Sequence, residues 1–231
     1  MGKKKIVVFS GAGMSAESGI KTFRDTGGLW EQYKIEEVAT PNAWEKNPTL
    51  VLNFYNQRRK QIINAQPNEA HHIVAELQNK FDVQVITQNI DNLHEKAGSQ
   101  KVLHLHGEIL KSRSSINPNL IYTMQKSEIN IGDTCELGSQ LRPHIVWFGE
   151  SVPEMDKAIY LVEQADIFIT IGTSLNVYPA ANLVHTAPDS IPKYLIDPGE
   201  FNLDYIKNLK VIKSSASEGM KILRSQLYEL A

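Results

Sequence analysis

His104 and His106 stand one residue apart in the run HLHG, and in an extended chain alternate residues share a face, so both imidazoles can point the same way. A neutral imidazole titrating near pH 7 is the side chain best suited to take a proton from a sugar hydroxyl. Two histidines at this spacing also suit a metal, but the only nearby addition is His94; a lone histidine equally serves as a satisfied polar core group. Upstream, Thr87, Gln88, Asn89, Ile90, Asp91 and Asn92 gather amides and one carboxylate. Such groups can fix ribose hydroxyls and a carboxamide by hydrogen bonds, or simply cap the next turn. Gly11, Ala12, Gly13, Ser15, Ala16 and Gly19 follow an apolar run, where glycines permit a tight turn and close approach of backbone to a pyrophosphate. The same pattern also makes a strand-to-helix turn without a ligand. Gly172, Thr173 and Ser174 suit a phosphate or ribose contact, and are equally good helix caps. A hydride-transfer enzyme would next show a helix, a strand and an acidic residue about 20 positions on. Here that space holds the loop residues Thr22 to Gly28, which counts against hydride chemistry.

The elements that must position these groups alternate along the chain. Apolar runs predict strands at Lys5 to Ser10, Val83 to Thr87, Val102 to Leu105, His144 to Trp147, Asp166 to Ile171, Lys193 to Ile196 and Lys210 to Lys213. Helical patterns cover Pro48 to Ala65, Asn68 to Lys80, Pro153 to Gln164, Pro179 to Thr186 and Ser217 to Leu230. Continuous apolar strands suit a parallel sheet buried on both faces, and the alternation predicts a Rossmann-like, doubly wound α/β fold. Two stretches break it: Thr22 to Ala65, and the polar, turn-rich Glu108 to Arg142. They are expected to pack together as a small second lobe. The single domain 1–231 then divides into a Rossmann-like lobe of about 1–30, 66–107 and 143–231 and a small lobe of about 31–65 and 108–142.

The 231 residues are 42% hydrophobic and 22% charged with a net charge of −2, which argues against a nucleic-acid or anionic-membrane partner held by electrostatics. No apolar run approaches the roughly 20 residues of a membrane span. The single cysteine, Cys135, allows no intramolecular disulfide and no cysteine-built metal site, and a cytoplasmic setting is expected.

In order and wording, the motifs resemble the sirtuins: GAGMSAESGIKTFRDTGGLW (Gly11 to Trp30), TQNIDNLHEKAG (Thr87 to Gly98), HLHG (His104 to Gly107), PHIVWFGE (Pro143 to Glu150) and GTSLNVYPAA (Gly172 to Ala181). The similarity spans nearly the whole chain and implies an NAD-dependent protein lysine deacylase acting on acylated lysines of proteins. On matching positions, Gly11 to Trp30 implies the NAD loop, with Phe23 and Arg24 over the reacting end of the cofactor. Gln88, Asn89, Ile90 and Asp91 would orient the nicotinamide and its ribose, with Asn89 counted as catalytic beside His106, the general base. Gly172, Thr173 and Ser174 match ribose and phosphate contacts, and Ala216 an adenine contact. Val146, Phe148 and Gly149 match the segment against which a substrate peptide pairs as an added strand. The implied reaction begins with attack of the acyl oxygen on C1′ of the nicotinamide ribose. It ends in nicotinamide, 2′-O-acyl-ADP-ribose and free lysine. Mono-ADP-ribosylation shares the first step and is the alternative; a catalytically silent NAD-binding module is a third reading, but Asn89, Asp91 and His106 are all present.

Two departures and one finer likeness stand out. Many sirtuins hold a structural zinc with four cysteines; here the first pair's region reads Lys111, Ser112, Arg113, Ser114, Ser115 and the second retains only Cys135, so zinc is not expected. Where the family tends to place asparagine before an acidic residue near the adenosine ribose, the chain has Ile196 before Asp197. FYNQRR, with Tyr55 and Arg58, and Ala39 in VATP resemble the desuccinylase and demalonylase (class III) branch, which implies a carboxylate-bearing acyl group as substrate.

Overall fold

The computed structural model describes residues 2–21, 32–173, 175, 177–203 and 205–230. The expectations for Phe23, Arg24, Trp30 and Ser174 fall outside them. Six strands form one sheet in the order β3-β2-β1-β7-β8-β9: β1 (Lys5–Ser10), β2 (Asp82–Thr87), β3 (Val102–His104), β7 (Ile167–Ile171), β8 (Lys193–Ile196) and β9 (Leu209–Ile212). Every neighbouring pair in it is parallel. The chain runs outward from β1 to β3 and returns on the other side of β1 at β7. The strand order therefore reverses between β1 and β7, where open α/β sheets bind ligands.

Side chains of β1 alternate between two apolar layers, as the period of a strand requires. Ile6 and Val8 join the core beneath helices α4 (Glu69–Glu76) and α8 (Ala216–Glu229), together with Ile73, Leu77, Met220 and Leu223. Val7 and Phe9 join the opposite core, with Ala158 and Val162 of α6 (Met155–Glu163) and Leu183 and Val184 of α7 (Leu183–Thr186). Among the described residues no helix is long and apolar enough to cross a membrane.

A second, antiparallel sheet has the order β5-β4-β6, from β4 (Gly107–Ser114), β5 (Ile121–Thr123) and β6 (Leu141–Ile145). It shares an apolar cluster with α1 (Ile35–Val38), α2 (Pro41–Lys46) and α3 (Pro48–Asn64), built on Val38, Ala43, Phe54, Tyr55, Ile109 and Trp147. A small α/β lobe thus stands beside the larger sheet. The fully buried Arg59 ties α3 to β4, its Nε donating to the Ile109 carbonyl at 2.7 Å.

Two expectations shift. The apolar run His144 to Trp147 predicted a strand of the parallel sheet; the strand is Leu141–Ile145 and pairs antiparallel with β4. A run of four residues, three of them apolar, carries no information about which sheet accepts it. Within the polar stretch from Glu108 lies β4, a strand of eight residues whose inward positions include Ser112 and Ser114. Serine at inward positions erases the hydrophobic alternation by which strands are read.

Helix α8 approaches β8 so closely that a Cβ on Gly219 would lie 2.2 Å from Cγ2 of Ile196. Alanine has the higher helix propensity, but the overpacking dominates. Gly219→Ala is expected to destabilise the protein by about 2 kcal/mol, a fall in Tm of roughly 4–8 °C by circular dichroism. An unchanged Tm would mean that Ile196 yields without strain.

Candidate active site

The ends of β1 and β7 meet backbone to backbone. Gly11 N donates to Ile171 O at 3.0 Å and Gly13 N to Gly172 O at 2.8 Å. Gly172 has φ +60°, and a Cβ there would lie 2.3 Å from Met14 N, while one on Gly11 would lie 2.7 Å from Thr173 Cβ. The glycines of both motifs are therefore required first by each other, since only bare backbone lets the two loops touch. Ala12 and Ser15 follow in a 3₁₀ segment, Ala12–Ser18, that also carries the exposed Ala16.

After β2 the backbone turns through Gln88 to Asp91, and its carbonyls are met in sequence. Leu105 N donates to Thr87 O at 2.9 Å, and Ile109 N to Ile90 O at 2.9 Å. Between them His106 Nδ1 donates to Gln88 O and His104 Nδ1 to Asn89 O, each at 3.0 Å. The two imidazoles do share a face. The loop's side chains then turn toward the β1 loop: Asn89 Nδ2 donates to Gly11 O at 3.1 Å and to Ser15 Oγ at 3.0 Å. Ser15 Oγ donates to Asp91 Oδ2 at 2.9 Å, and Leu93 N to Asp91 Oδ1 at 3.1 Å. Burial pushes the Asp91 carboxyl up, with the Leu93 and Ser15 hydrogen bonds and the charges of His104 and Arg58 opposing. Gln88 Nε2 is buried with no hydrogen-bond partner among the described residues, and Ile90 is half-buried against the small-lobe core.

The bond to Gln88 O fixes the proton of His106 on Nδ1 and leaves the Nε2 lone pair as the basic site. Burial holds its pKa below the ordinary histidine value, the Gln88 carbonyl opposing only in part, so the ring is neutral at pH 7. At the carboxyl end of β8, Asp197 Oδ1 accepts from Gly199 N at 2.8 Å. Ala216 opens α8, whose first turn is bound by Glu17 of the Ala12–Ser18 segment through Ser217 N at 2.9 Å. Thr173 is buried beside Gln88, with Oγ1 to Oε1 at 3.5 Å.

On the small-lobe side, Tyr55 and Arg58 of α3 are both buried, 2% and 8% exposed. Burial pushes the Tyr55 hydroxyl up and the Arg58 guanidinium down, while Tyr55 and Asp91 act electrostatically on Arg58 in the opposite sense. The Tyr55 ring lies 6.4 Å from that of Trp147. The Ala39 carbonyl accepts from Phe148 N at 3.0 Å, and Val146 N donates to His106 O at 2.9 Å. Phe148 and Gly149 are exposed. Pattern reasoning missed the clamp behind them: Glu150 accepts from Trp147 N at 2.8 Å and from Arg142 Nη1 at 2.8 Å, and the Arg142 guanidinium lies 3.3 Å over the Trp147 ring. Cys135 Sγ lies 3.1 Å from Ser139 Oγ, which lies 2.8 Å from Ser114 Oγ. Among the described residues no three His, Cys, Asp or Glu side chains gather to hold a metal ion.

The Sir2 family pattern matches residues 11–179, and the chain belongs to that family. It is 52% identical over 229 residues to an NAD-dependent protein deacylase of Bacteroides thetaiotaomicron, covering 97% of this chain and 98% of that protein. It is 53% identical over 228 residues to one of Helicobacter pylori, covering 99% of each. A crystal structure of a Sir2 homologue in complex with NAD superposes with a TM-score of 0.88 at 40% identity, covering 99% of this chain and 91% of that one.

A second buried network backs the loop. Ser10 Oγ donates to Thr87 Oγ1 and lies 2.9 Å from His94 Nε2, and the His94 ring stands 5.0 Å from that of His71. Burial holds both rings neutral, His94 well below the ordinary value and His71 down at about 4. In the unfolded chain both titrate near 6.5, so the folded state is at full advantage above that value and loses it as pH falls toward 4. Relative to His71→Gln, the wild type should lose on the order of 2 kcal/mol of stability between about pH 7.5 and pH 5. Denaturant titrations at each pH measure it; equal losses in both proteins would remove His71 from the account.

Proposed function

We propose that this chain, an NAD-dependent protein deacylase, takes succinyl- or malonyl-lysine in preference to acetyl-lysine while still accepting the latter. The observation that carries this reading is the buried Arg58, one turn of α3 from the buried Tyr55 and beside the Asp91 loop. A succinyl group ends in a carboxylate that an apolar acyl pocket would leave uncompensated. A guanidinium offers it two parallel charge-assisted bonds, and a neutral phenol adds a third donor.

The crevice between β1 and β7 fits NAD. Bare glycine backbone lines it, the buried Gln88 amide brings a donor unsatisfied within the described residues, and Asn89, Ser15 and Asp91 form a fixed polar wall. Gly11, Ala12, Gly13, Ser15, Ala16, Gln88, Asn89, Ile90, Asp91, Gly172, Thr173, Asp197 and Ala216 would hold it. Phe23, Arg24, Trp30 and Ser174 are assigned with them from the motifs alone. When bound, NAD supplies an electrophilic ribose carbon and the hydroxyls that accept the acyl group. His106 acts through its Nε2 lone pair, taking a proton from a ribose hydroxyl. Asn89 orients the reacting end, Arg58 and Tyr55 hold the acyl tail in a pocket to which Ala39 belongs, and Val146, Phe148 and Gly149 pair with the substrate peptide. We place the protein in the cytoplasm, with acyl-lysine proteins as its partners.

His106→Ala is expected to lower deacylation turnover by roughly 10²-fold or more, with NAD affinity largely kept. Turnover assays with calorimetric NAD binding check this; near-normal lysine release by the folded variant removes the base. Arg58→Met should raise KM for a succinyl peptide by roughly 30- to 1,000-fold, about 2–4 kcal/mol, and spare an acetyl peptide. Equal loss on both peptides would make Arg58 structural and end the acyl assignment.

A further inference from the structure

His104 and His106 both donate Nδ1–H to consecutive carbonyls, but of the two only His104 has its second nitrogen engaged among the described residues. Its Nε2 lies 2.7 Å from Glu95 Oε1, while Nδ1 lies 3.0 Å from Asn89 O. A carbonyl oxygen and a carboxylate oxygen only accept, and a neutral imidazole carries a single N–H. Both bonds together require both protons. The imidazole is 7% exposed at the end of β3 and its bond to Asn89 is partly buried, while the Glu95 carboxylate that meets Nε2 is 39% exposed.

We propose that His104, held as an imidazolium between Glu95 and the Asn89 carbonyl, is a positioning residue for the reaction, and that its deprotonation closes the pH window of activity on the alkaline side. The inference rests on reading Asn89 and His106 as the reacting-end residues. His104 touches neither substrate nor cofactor in this scheme. It fixes the backbone from which the Asn89 amide reaches Gly11 O and Ser15 Oγ.

The charged and titratable groups around the ring agree with a charged His104. Glu95 and the neutral His94 come from α5 (Leu93–Lys96), Asp91 from the loop before it, and Glu108 from β4, where it also pairs with Lys111. Burial works against the imidazolium, but the bond and charge of Glu95, the Asn89 carbonyl and Glu108 outweigh it and hold the pKa above the ordinary value. Burial likewise opposes the Glu95 carboxylate, and His104 more than compensates. A histidine raised in this way is fully engaged at low pH and released as pH climbs through its folded value. His106 works in the opposite sense: it must be neutral to act, and burial lowers its pKa below the ordinary histidine value. The two rings of one short strand end therefore bound the active window from opposite sides.

The test is the pH dependence of kcat/KM for an acetyl-lysine peptide at saturating NAD, for wild type, Glu95→Gln and His104→Asn, with circular dichroism confirming the fold. Glu95→Gln should move the alkaline limb down by about one pH unit and leave the acid limb in place. His104→Asn keeps an amide donor for the Asn89 carbonyl but cannot titrate, so the limb should move up or vanish. At least about a tenth of the neutral-pH activity should remain in that variant. Both outcomes support the inference. An alkaline limb unmoved in both folded variants, or a loss uniform across pH, overturns it. Failure of the underlying reading registers separately, as turnover that survives His106→Ala with the Glu95→Gln shift still present.

Discussion

The site depends on four consecutive carbonyls, Thr87 to Ile90, being satisfied by one short segment, His104 to Ile109. Where β2 ends inside a crevice, its backbone cannot rely on water, and buried carbonyls must find donors. Two come from backbone amides and two from imidazole Nδ1 atoms. Committing those carbonyls to one side turns the Asn89 and Asp91 side chains to the other, toward Gly11 and Ser15. The same bonds settle the chemistry of the histidines. With Nδ1–H spent on Gln88 O, the lone pair of His106 is left on Nε2, and burial keeps that ring neutral. A requirement of backbone accounting thus produces a base in a defined tautomer.

The remaining parts are tied to this segment. Gly107 has φ +81° and lets the chain leave β3 directly into β4, with no room for a side chain against His144 O. Ile109, the fourth member of the suspension, also receives Arg59 of α3 through its own carbonyl. Helix α3, which carries Tyr55 and Arg58, is therefore held to the strand that follows His106. From the other side Trp147 packs against Tyr55 and is backed by the Arg142 guanidinium, whose charge Glu150 meets in a partly buried pair. Such a pair owes its worth to being complete, since removing one partner leaves the other uncompensated. The proposed acyl pocket and the proposed NAD loop thus share one mechanical reference.

Much of this was legible in the chain. The largely apolar runs of β1, β7 and β8 are continuous because both faces of those strands are buried, and that pattern alone names a parallel sheet. The spacing of HLHG placed two imidazoles on one face, and the GAG, TQNID and GTS motifs sit at strand ends, where an α/β sheet binds its ligand. These are local facts, written in residue type and period.

What the chain did not disclose depends on neighbours remote in sequence. Strand β4 is masked by serines at inward positions, and the partner of β6 is set by the turn at Gly107 rather than by its own residues. The motif glycines suggested room for a phosphate; tertiary structure shows that they first make room for one another across the β1 and β7 loops. Nothing in HLHG separates its two histidines. Glu95, nine residues upstream, engages one, and nothing comparable reaches Nε2 of the other among the described residues. Residue type and spacing thus determined which groups could do chemistry. Burial, register and protonation were decided only by folding, because each is a property of the surroundings that distant segments assemble around a side chain.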